Sequence, residues 1–389
     1  PYITWSIVLL FAIFLEGCDI KDNEVKVSSG FLKIYDHNQF NGSYIPLDIQ
    51  QTSDGGYLIL SGRRIEESNF VGINILKLDS VGEFVNEFEM EPNYVHPTYS
   101  LIKNDEGYYF FCMDAVSLQA QIAKISETDG TIESVTPIPG TYYPLYASAS
   151  ENNTFILQSY NNTDKQTVLS VVGTTGTISK RKVFGIGAGE DVEKPLIEHF
   201  TRTGKQLPFL AGKTADGFYY FNGFFNYTFS LVFTNLSSDE PTGIIQGQQD
   251  NGGISALFPF EEANKFALSS FNFGDNYILS NTTLNKQSIS SAVDLIGFSM
   301  PELQPDAKVI LKRVTMNGSN YIVYGSNTKN GQILLLAYDE LTGELKGTKY
   351  LGFSYPYEIA SFVQTADEGL AVAALTYVAG RFPRICLFK

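Results

Sequence analysis

Cysteine is scarce in this chain: Cys18, Cys112 and Cys386 are the only three in 389 residues. Three thiols at such spacings build neither a disulfide framework nor a zinc knuckle. Cys112 and Cys386 sit in apolar runs, Tyr108 to Met113 and Arg384 to Phe388, and read as small core residues. Histidine is equally rare. His37, His96 and His199 have no i, i+4 partner for a metal, and each reads as a solvated loop residue. Tryptophan occurs once and methionine four times, against 29 Phe and 23 Tyr, a balance that suits strands better than helices. After residue 30 there is no long apolar stretch with a 3.6-residue period. Basic residues are outnumbered 27 to 42 by acidic ones, giving a formal charge of −15. The largest basic cluster is Lys180-Arg181-Lys182. That argues against a nucleic-acid partner, which needs a basic face. No GxSxG elbow, HExxH helix, P-loop or dinucleotide-binding glycine run is present either, and no cofactor is expected.

What the chain does have is a repeat, clearest from Ile49 to Phe88. Ile49-Gln50-Gln51-Thr52 reads as a short strand. Ser53-Asp54-Gly55-Gly56 follows it as a tight turn whose glycines supply positive φ angles. Tyr57 to Gly62 is apolar enough to be buried on both faces, and Ile73 to Asp79 alternates as a half-buried strand does. Ser80-Val81-Gly82-Glu83 turns the chain again into an outer strand, Phe84 to Phe88.

Six further units align under this one. Their first turns, each leading into the second strand, are Asn104-Asp105-Glu106-Gly107, Glu151-Asn152-Asn153, Thr214-Ala215-Asp216-Gly217, Glu261 to Asn264, Met316 to Ser319 and Thr365 to Gly369. Four antiparallel strands repeated about every 50 residues are the signature of β-propeller blades. The last unit stops one strand short, and an open ring would leave an apolar edge in water. Gly30 to Asp36 alternates as a strand and precedes the first full unit, so it is expected to pair with Arg384 to Lys389. The fold expected is all-β, a seven-bladed β-propeller over residues 30–389 closed by an N-terminal strand. The irregular fifth unit keeps six or eight blades as alternatives.

Ahead of the repeat, residues 3 to 15 carry no charge and are followed by Glu16-Gly17-Cys18. An apolar run this short suits an export signal better than a span of a ~30 Å hydrocarbon core. Leu15-Glu16-Gly17-Cys18 resembles a bacterial lipobox, with Glu16 departing from the usual small or apolar residue. The resemblance implies a signal peptide over 1–17, acylation of Cys18, and a tether over 18–29. The acidic Asp19 to Glu24 is similar to the export signal of surface lipoproteins of the Bacteroidota. Asp79-Ser80-Val81 resembles the O-glycosylation acceptor of that phylum. The chain thus resembles the propeller lipoproteins of the Bacteroidota, which implies a lipid-anchored protein of the outer membrane, facing the cell surface.

Candidate chemistry is thin. The paired carboxylates Glu66-Glu67, Asp239-Glu240 and Glu261-Glu262 are sequence neighbours, as in solvated charge runs, rather than an acid and base held across a substrate. Asp250 to Gly253 and Gly274 to Asn276 match no calcium loop and read as turns, so no metal site is expected. Alternate members of the aromatic block from Phe218 to Tyr227 suit a buried strand. Its short hairpin also allows Tyr220, Phe224, Phe225 or Tyr227 to emerge at the rim as a platform for a glycan or protein. Rim loops are expected at 92–98, 137–144, 185–207, 239–253 and 287–306. By analogy with the lipoproteins it resembles, the expected role is non-catalytic: an accessory subunit of an outer-membrane complex or a glycan or protein binder. The alternative is a propeller hydrolase or lyase acting on polysaccharide.

Overall fold

Between Gln51 and Tyr57 the chain reverses because its residues leave little choice. Gly55 takes φ +82°, and a Cβ on Gly56 would lie 2.3 Å from the Leu78 carbonyl oxygen. Asp54 Oδ1 accepts from the Gly56 amide at 2.9 Å, which holds the turn in place. Turns of this kind connect the strands in a computed structural model that describes residues 30–35, 43–65, 68–187, 189–295, 297–377 and 382–389. The expectations for residues 1–29, Cys18 among them, and for His37 and Glu66-Glu67 lie outside the described residues.

Seven sheets follow in chain order, antiparallel but for one short pair. Blade 1 is Tyr44–Gln51, Tyr57–Arg64, Val71–Leu78 and Phe84–Glu89. Blade 2 runs outward from Tyr94–Val95 and Ile102–Asn104 through Gly107–Asp114 and Gln119–Ile125 to Ile132–Tyr142. Blade 3 spans Pro144–Ala149 to Ile178–Gly185, and blade 4 Leu210–Lys213 to Gly243–Gln246. Blade 5 begins with Gly252–Pro259, blade 6 with Ile310–Met316 and blade 7 with Tyr357–Gln364. Each blade packs on the next, and blade 7 packs on blade 1, so the ring is closed.

Closure is made by the expected strand. Leu32–Tyr35 pairs antiparallel with Arg384–Phe388, Leu32 opposite Phe388 and Tyr35 opposite Ile385. The core is divided among the blade interfaces. Leu58, Leu60 and Ile75 of blade 1 meet Phe110 and Cys112 of blade 2, and Ile322 and Tyr324 of blade 6 meet Ala256 and Ile278 of blade 5. Cys112 and Cys386 are buried as expected.

Four expectations about loops need correction. The segment 137–144 is strand, continuing Ile132–Tyr142 into Pro144–Ala149. The segments 239–253 and 287–306 also supply strands. Gly243–Gln246 completes blade 4, Ile289–Ser291 crosses over to pair with it in parallel, and Phe298–Ser299 returns as the short outer strand of blade 5. That detour explains why the fifth unit looks irregular in sequence. The segment 185–207 contains a helix, α1, Glu190–Thr201. Val192, Leu196, His199 and Phe200 form its buried face, and the interior Pro195 together with its short length hides the helical period.

Candidate functional site

The aromatic platform does not assemble. Tyr220 is buried between blades 4 and 5, its ring lying against Gly212, where a Cβ would meet the Tyr220 hydroxyl at 2.3 Å. Phe224 is 1% exposed and packs edge-on to Phe229 under α1. Phe225 is half-buried between blades 3 and 4. Tyr227 alone reaches solvent, 50% exposed, at a turn where its N–H donates to the Ile186 carbonyl. A hairpin this short keeps its strands paired almost to the tip, so strand alternation governs the ring directions and sends them to separate clusters.

The histidines also differ from expectation. His96 and His199 are buried, not solvated, and their rings meet edge to face at 5.9 Å under α1. His199 Nδ1 accepts from the Leu207 N–H at 3.2 Å. Burial, with the Arg202 charge nearby, pulls His96 down to about 3, and burial, then His96, then Arg202 lower His199 well below the usual range. Both imidazoles are therefore neutral at pH 7.

The ring surrounds a cavity of about 340 Å³ on its axis. All seven blades contribute through their inner strands or the residues leading into them, among them Asp48, Ser100, Tyr146, Ser255, Lys312 and Ser361. The loop after α1, Lys205 to Phe209, forms part of the wall. The local cause is a recurring β-bulge. The inner strands of blades 1, 5 and 7 each carry an extra residue, Leu47, Ser255 and Ala360, at the register shift, and all three line the cavity. A bulge re-aims side chains and leaves a backbone group outside the ladder. Lys308 Nζ takes up one such group, donating to the Ala360 carbonyl at 2.5 Å.

In a protein of net charge −15 this cavity is cationic. Lys205, Lys308 and Lys312 line it, and the guanidinium of Arg202, which ends α1 in the left-handed region, donates to the Tyr99 hydroxyl at 2.5 Å. Two carboxylates oppose them. Asp48 accepts from the amides of Ile49 and Leu101, both at 2.9 Å, and pairs with Lys312 at 3.3 Å. Asp306 pairs with Lys205 at 3.0 Å. Lys308 is exposed to the cavity. Burial pulls it down to about 8, the nearby Asp48 charge opposing and Arg202 and Lys312 adding to the fall. Burial, with Asp48, raises the Tyr146 hydroxyl to about 12. Sequence reasoning missed every one of these cations, because they come from separate turns and strands and follow no motif.

No protein family and no curated protein matches this sequence. Among solved structures, a protein from Lactobacillus plantarum is similar at a TM-score of 0.50 and 12% identity, over 83% of this chain and 92% of that one. YCF48 from Cyanidioschyzon merolae gives 0.48 and 11%, over 92% and 98%. The Dos1 propeller gives 0.49 and 10%, over 88% and 77%. At such identities the likeness is one of fold. The class that the topology defines is the seven-bladed β-propeller, here with a cationic axial cavity.

Proposed function

We propose that this protein is a non-catalytic binding propeller, tethered to the outer membrane through acylated Cys18 and holding its ligand in the axial cavity. The observation that carries the reading is the convergence of all seven blades and the loop after α1 on one volume. Its size lies at the low end of the ~300–1,000 Å³ range of small-molecule sites. Both acids in that volume are committed, Asp48 to two amides and Lys312, Asp306 to Lys205. Neither is free to act as acid or base toward a glycosidic bond, which favours binding over hydrolysis.

A thermal-shift screen of soluble sugars and organic acids, run on wild type and on Ala256→Trp, tests the cavity. Ligands that stabilise wild type and not the filled variant support the reading; hits that stabilise both equally, or no hits at all, overturn it. Anchoring is tested separately by feeding an alkyne fatty acid to cells of a Bacteroidota host. The label should appear on the wild-type chain and vanish with Cys18→Ala, and equal labelling of the two would refute the lipid anchor.

A further inference from the structure

The charges in and beside the axial cavity do not balance. Three lysines line it and Arg202 borders it through the Tyr99 hydroxyl; of these four cations, Lys312 and Lys205 have carboxylate partners. Among the described residues, neither Lys308 nor Arg202 forms an ion pair with a carboxylate. Both instead flank the same ring: Lys308 Nζ lies 5.2 Å from the Tyr99 centroid and Arg202 Cζ 5.8 Å from it. The Tyr99 hydroxyl is itself occupied, accepting from Arg202 and donating to Gln206 Oε1 at 2.8 Å. Two like charges drawn to one aromatic ring repel each other. A negative group entering the cavity relieves that repulsion and pairs with both cations.

We propose that the axial cavity takes a small carboxylate-bearing organic molecule, its carboxylate lodged between Lys308 and Arg202 beside Tyr99. The inference rests on the reading that the cavity is the ligand seat. The remainder of the ligand meets apolar wall from Leu47, Leu207, Phe209, Leu257 and Phe271, so its other end presents an apolar face or ring. Lys308 supplies a point charge already steered by the Ala360 carbonyl, and Arg202 a planar fork suited to a carboxylate. The lowered pKa of Lys308 agrees with this, since a group held near 8 gains its full charge when an anion arrives.

The test uses two matched pairs of probes, glucuronate with glucose and benzoate with benzyl alcohol, at constant ionic strength. Binding is read by ligand-observed NMR on the folded full chain, up to about 10 mM, a range that reaches weak sites. The expected result is that at least one carboxylate binds at least about tenfold tighter than its neutral mate. Lys308→Met and Arg202→Met each weaken that carboxylate about tenfold or more, and Ala256→Trp abolishes it. Should Ala256→Trp not fold, Ser361→Phe fills the same volume from blade 7. If the neutral mates bind as well and Lys308→Met changes nothing, the anion proposal fails while the cavity remains the ligand seat. Binding that survives the filled variants overturns both readings. Failure of both carboxylates to bind overturns the anion proposal alone.

Discussion

Lys308 departs far from the ordinary chemistry of a lysine. An ordinary lysine is almost wholly protonated at pH 8, whereas a pKa of about 8 leaves roughly half of the Lys308 amine neutral and nucleophilic there. Brief treatment with an amine-acylating reagent at pH 8, read by peptide mass spectrometry, should modify Lys308 ahead of surface lysines such as Lys194. Repeating it at pH 6 should erase that lead. The same displacement has a consequence for stability. The folded pKa lies below the unfolded value of 10.5, so folding disfavours the proton. The penalty grows as pH falls from about 10.5 to 8 and is constant below. Lys308→Met is therefore expected to raise Tm at pH 7 and to give no gain above about pH 10.5; a lower Tm at pH 7 would contradict the assignment.

At the scale of elements, one turn recurs with one partner. In Thr52-Ser53-Asp54, Thr214-Ala215-Asp216 and Thr365-Ala366-Asp367 the threonine hydroxyl donates to the aspartate, and a lysine from elsewhere closes the clamp: Lys77, Lys286 and Lys389. Lys77 and Lys286 are 1% and 3% exposed at the side chain, so losing the carboxylate strands a buried cation. Asp54→Asn is expected to cost about 1–3 kcal/mol, measured by urea unfolding at pH 7. For Asp54, burial acts upward and is outweighed by the hydrogen bonds from Thr52, Lys77 and the Gly56 amide; for Asp367 those from Lys389 and Thr365 dominate. Both end near 2. Their contribution is thus complete above about pH 3.8 and lost as pH falls through 2.

Helix α1 responds over a different window. His96 and His199 stay neutral in the fold, while the unfolded chain binds protons below about 6.5. Stability is whole above that value and declines from 6.5 toward 3. Faster amide exchange over Glu190–Thr201 at pH 5 than at pH 7.5, after correction for the intrinsic rate, is the expected sign, and His96→Gln with His199→Gln should flatten it. The turns were legible in sequence because Thr-x-Asp with a glycine one or two residues on dictates local backbone geometry. Their lysines, the helix and the cation cluster were not, since each depends on contacts between residues far apart in the chain. The aromatic block shows the same limit: its strand character could be read directly, but which rings face the rim is decided by Gly212, blade 5 and α1.

At the scale of the whole molecule the ring depends on its last seam. Leu32–Tyr35 does more than complete blade 7, because the Tyr35 hydroxyl donates to the Gly82 carbonyl at 2.9 Å and Lys33 pairs with Glu83 at 2.5 Å. Both partners belong to the last turn of blade 1, so one short strand ties the first blade to the seventh. A chain beginning at residue 36 would leave Arg384–Phe388 as an unpaired edge beside Leu370–Thr376, with Ile385, Cys386 and Leu387 losing their cover. Such a truncation should lower Tm, by about 2–4 °C for each kcal/mol lost. It should also raise exchange across residues 370–388 while leaving Phe155–Asn161 of blade 3 protected, and move the protein toward dimers or larger species on size exclusion. Ile34→Pro, which strips one N–H from the same strand, should do so more weakly. Unchanged exchange over 370–388 in the truncated chain would mean that blade 7 holds without its fourth strand, and that the axial cavity, whose Ala360 carbonyl seats Lys308, does not depend on the seam for its shape.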